Sequence, residues 1–202
     1  MAMTWTVGDV MSQPPVTVGP AEPFKRCLDL MRVQEVSALP VVTRGGELLG
    51  IVSEADLMKR FCSGAGPLSA EDMMTSDVAT IESGASLAAA ARLMLLRNVK
   101  RLPVLDRSGR VIGVCSRSDV LRVFLRSDEA IRKDVAGGLL NELPLLGRGR
   151  VKVDVADGVV RLSGEVESGP LTGLLLRLVA AVPGVVGVEN RMQTAQPVAN
   201  HV

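Results

Sequence analysis

Displaced by 63 residues, the chain matches itself: Asp9–Phe61 lies over Asp72–Phe124 without a gap, 53 residues against 53. Fifteen positions are identical, among them Leu39-Pro40-Val41 with Leu102-Pro103-Val104, and Gly50, Ser53, Asp56 and Phe61 with Gly113, Ser116, Asp119 and Phe124. A fixed period of this kind means one supersecondary unit used twice, and it limits the fold more than any local motif. Such a short unit buries too little surface to be comfortably stable alone, so the two are expected to pack sheet to sheet about a pseudo-twofold axis. That pairing creates two equivalent clefts.

Each unit reads as β-α-β-β-α. A short β run (Val16-Thr17-Val18; Ala79-Thr80-Ile81) precedes a helix with apolar residues at i, i+3, i+4 and i+7: Phe24, Cys27, Leu28, Met31, and Leu87, Ala90, Ala91, Met94. A strand opens at Leu39-Pro40 (Leu102-Pro103), turns at Arg44-Gly45-Gly46 (Arg107-Ser108-Gly109) and returns through Leu48–Val52 (Val111–Cys115). A second helix begins after Ser53 and Ser116. The connection Cys62–Pro67 reads as a flexible linker.

With 47% hydrophobic residues and a mean hydropathy of +0.29, the 202-residue chain has ample material for cores. Its net charge of +1 gives no general attraction to nucleic acid or anionic membrane, and one Trp, three Phe and no Tyr leave little to stack on bases. The one histidine, His201, and three separated cysteines argue against a His-centred hydrolase or a zinc site. No secretory leader is read at the start, and an odd number of cysteines at core-like positions fits a reducing, cytoplasmic setting.

The chemistry concentrates in Gly50-Ile51-Val52-Ser53-Glu54-Ala55-Asp56 and Gly113-Val114-Cys115-Ser116-Arg117-Ser118-Asp119. Ser-x-x-Asp after a strand is a helix N-cap with an acidic third residue. It is equally a phosphate site at a helix start, with a carboxylate one turn in for ribose hydroxyls. Recurrence beside both clefts favours the second. Gly50 and Gly113 are expected to let a ligand lie close to the strand.

With Asp9-Val10-Met11 near the start, the Leu-Pro-Val strand and Gly-h-h-Ser-x-x-Asp (h, hydrophobic) at the end, the two units resemble cystathionine-β-synthase (CBS) domains over about residues 7–126. The resemblance implies a regulatory module that binds AMP, ADP, ATP or S-adenosylmethionine and forms a homodimer. It would give ribose hydroxyls to Asp56 and Asp119, and phosphate to Ser53 and Ser116 with Thr17 and Thr80. Backbone around Ala38-Leu39 and Arg101-Leu102, with Ile51 and Val114, would line the adenine pocket.

Charge separates the units independently of that resemblance. Residues 9–61 carry six Lys/Arg and seven Asp/Glu, net −1; residues 72–124 carry eight and five, net +3. Ser37-Ala38 becomes Lys100-Arg101, and Glu54 becomes Arg117 beside Ser116. The Ser116/Asp119 cleft is therefore expected to hold up to three cations and to dominate phosphate binding.

After Phe124 the repeat stops. Asp128–Leu143 reads as a helix with Ile131, Val135, Leu139 and Leu143 on one side, interrupted by Gly137-Gly138. Alternating Val151, Val153 and Val155 lead to the hairpin signal Asp157-Gly158 and a returning strand. Pro170 opens a helix with Leu171, Leu174, Leu175 and Leu178 inward, Pro183-Gly184 ends it, and Val186 and Val188 give a last strand. The α-β-β-α-β order, with Val-x-Val-x-x-Gly-x-Val-x-Leu-x-Gly-x-Val from Val153 and Val-Pro-Gly-Val-x-x-Val-x-Asn from Val182, is similar to the BON domain of bacteria. That family's proposed roles imply membrane, phospholipid or protein contact, with Arg148 and Arg150 as candidate head-group contacts.

The expected organisation is α+β: CBS repeats at 7–62 and 70–126, a BON domain at 127–193 and a disordered tail at 194–202. The expected function is a nucleotide sensor signalling to the BON domain or a partner. The alternative is a non-catalytic dimeric interaction scaffold with no specific ligand, its BON domain contacting membrane or protein. Catalysis is not expected, because Ser53 and Ser116 have no histidine to activate them, and neither a required cofactor, a metal nor nucleic-acid binding is expected.

Overall fold

The computed structural model describes residues 5–63, 68–142, 151–166 and 169–194. Helix α2 (Phe24–Val33) buries Cys27 and Met31, and α5 (Leu87–Leu96) buries the equivalent Ala90 and Met94. These pairs sit one turn apart on a single face. Leu28, expected inside, is 46% exposed, because it lies a third of a turn around from Cys27. Strand β1 (Ala38–Val42) pairs antiparallel with β2 (Leu48–Ser53), and β4 (Arg101–Leu105) with β5 (Val111–Ser116), each with the same register shift before its last residue. The tight turns place Gly46 and Gly109 at φ +87° and +81°, where a Cβ would be strained. The β run expected at Val16–Val18 reduces to one parallel bridge, Val18 to Val41; Pro14, Pro15 and Pro20 around it lack the N–H a longer ladder needs. Its counterpart β3 (Ile81–Glu82) lies parallel to β4. Helices α3 (Glu54–Ser63) and α6 (Arg117–Arg122) follow the second strands.

The two repeats exchange their leading arms. Helix α1 (Val7–Val10) buries Val7 against Ala90, Met94 and Leu102 of the second repeat, whereas α4 (Ala70–Met73) buries Ala70 and Met73 against Cys27, Met31 and Leu39 of the first. Val7 and Gly8 donate to Ala85 and Ser83 carbonyls at 2.9 and 2.8 Å, and Ala70 donates to Glu22 at 2.7 Å. The bridges Thr6–Ser86 and Pro23–Ser69 interconvert under the 63-residue displacement, as do Ser12–Val114 and Ile51–Thr75. Glu47 bridges Arg110, its own counterpart, and so marks the pseudo-twofold axis.

The described residues form two compact bodies, Thr6–Val120 and a second comprising Trp5 and the chain from Leu121 onward. In the second, α7 (Asp128–Lys133) passes through a π-helical turn (Asp134–Leu139) into α8 (Leu140–Glu142). The widened turn holds Gly137-Gly138, yet Ile131, Val135 and Leu139 still face the core; Leu143 lies outside the described residues. Strands β6 (Val151–Ala156) and β7 (Val159–Val166) form the expected two-residue hairpin, with Asp157 and Gly158 at φ +52° and +74°. The Asp128 carboxylate accepts both turn N–H groups, at 2.9 and 2.8 Å. Strand β8 (Gly187–Thr194) runs parallel to β7, giving the order β6-β7-β8. Helix α9 (Gly169–Ala180) buries Leu175 and Val179; Leu174, expected inward, is 43% exposed, and the Leu171 side chain lies outside the described residues. The inner face therefore follows the i, i+4 step of 175 and 179. Arg126 lies 5.4 Å from the Trp5 ring centroid, donates to the Pro183 carbonyl at 2.8 Å and pairs with Asp134 at 2.6 Å. Of the expected linker Cys62–Pro67, Cys62 and Ser63 instead end α3, and residues 64–67, like Arg148, Arg150 and residues 195–202, lie outside the described residues.

Candidate ligand cleft

Both Ser-x-x-Asp motifs form reciprocal caps. Asp56 Oδ2 accepts from Ser53 N–H at 3.0 Å and Ser53 O–H at 2.6 Å, and Asp119 Oδ2 accepts from Ser116 at 2.8 and 2.6 Å. The same box recurs at Thr6–Asp9 and Ser69–Asp72, at the starts of the exchanged arms. Thr6 and Ser69 hold the Asp9 and Asp72 carboxyls below the usual range by hydrogen bonding to their charged forms. The motif is thus a structural device used four times, and the Ser53–Asp56 copy lines a cleft.

One cleft, of about 370 Å³, is bounded by Ser53, Glu54, Asp56 and Lys59 at the start of α3, by Ile51, and by Ser37 and Ala38. Across the axis it is closed by Thr75, Asp77, Val78 and Ala79 from the second arm and by Asn98, Val99, Lys100 and Arg101. This size falls within the range of small-molecule sites. Ala38, Ile51, Val78, Ala79 and Val99 give it an aliphatic wall. Lys59 Nζ lies 3.5 Å from the second Asp56 oxygen, and Asp77 pairs with Arg97 at 2.7 Å. Arg101 is half-buried and donates through Nη2 to Ser37 Oγ. Burial lowers its pKa, while Glu54 and Asp119 oppose that shift.

The cations of the second repeat therefore serve more than the motif of their own repeat. Lys100 and Arg101 stand beside Ser116, with which Arg101 pairs across the sheet, and they also line the Ser53/Asp56 cleft, which draws one wall from the other repeat. Arg117, the third expected cation, directs Nε to the Val99 carbonyl at 3.1 Å. The Ser116/Asp119 position is related by the twofold and bordered by Val114, which bridges Ser12; Asp119 is only 4% exposed. Thr17 and Thr80 are half-buried and do not contribute to the 370 Å³ cleft, although Ala79 does. The Leu39 and Leu102 side chains are fully buried in the two repeat cores, and neither residue lines the 370 Å³ cleft. Thr75, Asp77, Val78, Ala79, Asn98 and Lys59 were not legible as site residues, since nothing local in the sequence signals arm exchange.

One correction concerns the glycines. A Cβ at Gly50 would stand 2.5 Å from Met74 Sδ and 2.9 Å from the Thr75 carbonyl; at Gly113 the distances are 2.5 Å to Met11 Sδ and 3.1 Å to the Ser12 carbonyl. The space is taken by the exchanged arms, so these glycines serve arm docking rather than ligand approach.

Paired repeats with a cleft across their axis make a two-lobed unit. The chain belongs to the CBS domain family: CBS domain models match residues 7–63 and 70–126, and a BON domain model matches 127–196. It is similar to the solved structure of CBSX2 from Arabidopsis thaliana in complex with AMP, with 33% identity, TM-score 0.54 and coverage of 60% of this chain and 96% of that one. The CBS domain pair of protein MJ0100, in complex with 5′-methylthioadenosine and S-adenosyl-L-methionine, has 26% identity, TM-score 0.57 and coverage of 60% and 96%. Inosine-5′-monophosphate dehydrogenase of Nitrosopumilus maritimus is 33% identical over 113 residues, 56% of this chain and 23% of the enzyme. The chain spans between 22% and 62% of the first three curated relatives it matches. Among the described residues no helix is long and apolar enough to cross a membrane, and no group of His, Cys, Asp and Glu could hold a metal.

Proposed function

We propose that this chain is a non-catalytic regulatory module that takes an adenosine-containing ligand (AMP, ADP, ATP or S-adenosylmethionine) at Ser53/Asp56 and at Ser116/Asp119. The ligand state is passed to the BON domain or to a partner, within a cytoplasmic homodimer. The observation that carries this reading is the 370 Å³ cleft, in which an aliphatic wall faces a helix start and three cations. AMP and S-adenosyl-L-methionine in the related structures support the ligand class. The adenine would rest on Ala38, Ile51 and Val99, with Leu39, Leu102 and Val114 contributing backbone. Asp56 would offer ribose the oxygen its cap leaves unused, and Lys100, Arg101 and Ser53 would meet phosphate. Met58 and Phe61 on α3, 68% and 82% exposed, support an association surface.

A thermal or chemical melt with millimolar AMP, ATP and S-adenosylmethionine tests the proposal. A ligand at 100 times its Kd adds about 2.7 kcal/mol to stability. If all three leave the melt unchanged, the alternative stands: a dimeric scaffold whose Ser-x-x-Asp boxes are caps only. That reading draws its support from the identical boxes at 6–9 and 69–72. For the BON domain, ion pairs linking Arg161 to Asp154 and Glu189, and Arg191 to Glu189, leave a charge-balanced strand face. This favours a protein contact over an anionic phospholipid surface.

A further inference from the structure

Arg101 stands between the two Ser-x-x-Asp motifs. Its guanidinium reaches Ser37, 64 positions earlier in the chain, and the residue lines the Ser53/Asp56 cleft, while its backbone pairs with Ser116, the first polar residue of the second motif. The twofold counterpart of the Arg101–Ser37 contact would join Ala38 to Lys100. Ala38 carries no donor, so the axis holds one guanidinium instead of two. Acidic residues of both motifs, Glu54 and Asp119, act on its charge.

Resting on the nucleotide-sensing reading, we infer that Arg101 is a shared phosphate ligand serving one cleft at a time, so that an anionic nucleotide in the Ser53/Asp56 cleft weakens uptake of a second at Ser116/Asp119. A phosphate in the first cleft, already flanked by Lys59 and Lys100, fixes the guanidinium there by charge-assisted bonds. The second phosphate then meets the Asp119 carboxylate without that cation nearby. The coupling is reciprocal by linkage, and it depends on ligand charge rather than on adenine.

Calorimetric titration of the full chain with ATP and with adenosine tests this. ATP is expected to fill two steps separated about 10- to 150-fold, the worth of one hydrogen bond to a charged group. Adenosine, lacking phosphate, is expected to bind without that separation. Arg101→Ala should collapse the ATP steps to within about 3-fold of each other, chiefly by weakening the first. Ser37→Ala, which releases the guanidinium without removing it, should keep both steps and tighten the first. A single ATP constant for both clefts in the unaltered chain, equal splitting with adenosine, or an unchanged separation in Arg101→Ala would each overturn the inference while leaving nucleotide sensing intact. Should Arg101→Ala fail to fold, an unaltered first step in Ser37→Ala overturns it. Absence of any binding by either ligand overturns the sensing reading and this inference together.

Discussion

Gly50→Ala is the substitution that most directly separates arm docking from ligand approach. The added Cβ would overlap Met74 Sδ at 2.5 Å and Cγ at 2.7 Å, and would press the Thr75 carbonyl at 2.9 Å. Met74 is flexible and can retreat, but the Thr75 carbonyl cannot, because Ile51 and Thr75 exchange two backbone hydrogen bonds of 3.0 and 2.9 Å. Relief therefore requires the arm to move outward and loosen that pair. Overpacking of this kind costs about 1–3 kcal/mol, and alanine's lower backbone entropy in the unfolded chain returns about 0.5–1 kcal/mol. The expected net loss is about 1–2 kcal/mol, a 5- to 30-fold shift in the folding equilibrium. Urea melts of the ligand-free protein measure it, with Gly84→Ala as control, since nothing lies within 4 Å of a Cβ there. Adding Met74→Ala should recover only part of the loss, the carbonyl clash remaining. A ligand-free Gly50→Ala as stable as the parent, with its defect confined to nucleotide affinity, would refute arm docking as the reason for this glycine.

Asp56→Ala should weaken AMP and ATP binding about 10- to 150-fold, and more than Asp119→Ala does; calorimetry giving the larger loss to Asp119→Ala would return the dominant site to the second cleft. Asp9 and Asp72 have pKa values lowered in the folded state, so the stability they contribute is present above the unfolded carboxylate value, 3.8, and is lost as pH falls through the folded one. Urea midpoints should accordingly drop below about pH 4, and less steeply in Thr6→Ala/Ser69→Ala. Burial, aided by the Asp119 charge, pushes the Cys115 thiol up to about 11, and burial raises Cys27 as well. Iodoacetamide at neutral pH should therefore label only the exposed Cys62 in the folded protein, as peptide mapping would show. Asp128→Ala should cost the C-terminal body about 1–2 kcal/mol by freeing the two hairpin N–H groups it holds at 2.9 and 2.8 Å, read from its melting transition.

The features legible in the sequence were those whose cause is local or repeated. The 63-residue displacement announced the pairing, the Asp157-Gly158 turn announced its hairpin, and the spacing of Cys27 and Met31 announced the buried helix face. Leu28 and Leu174 went outward because an apolar residue on the flank of a stripe has no sequence mark distinguishing it from one at the centre. The site was legible only in part. Ser53 and Asp56 came from their motif, but the wall of Thr75, Val78, Ala79 and Asn98 depends on an arm crossing to the other repeat, a long-range choice no spacing encodes. The glycines carried the signal in ambiguous form: a close approach was required, and only the structure names Met74 and Met11 as what approaches.

Arm exchange also changes what a substitution in one repeat does. If each repeat built its own cleft, the basic second unit would own the phosphate site, and the difference between the units' net charges would report a difference between sites. Because the Ser53/Asp56 cleft takes Lys100 and Arg101 from across the axis, the cations of the second repeat compensate Glu54 and Asp56 of the first. The cleft with the more acidic motif thereby also draws positive charge from the second repeat. Replacing Ser37-Ala38 by Lys-Arg, the sequence of the second repeat, would by the same geometry place new cations opposite Ser116 and Asp119, and with two guanidiniums on the axis the clefts would no longer compete for one. In the doubly substituted chain ATP should fill both sites with constants within about 3-fold of each other, and persistence of two separated steps would show that the asymmetry resides elsewhere than in the residues flanking the axis.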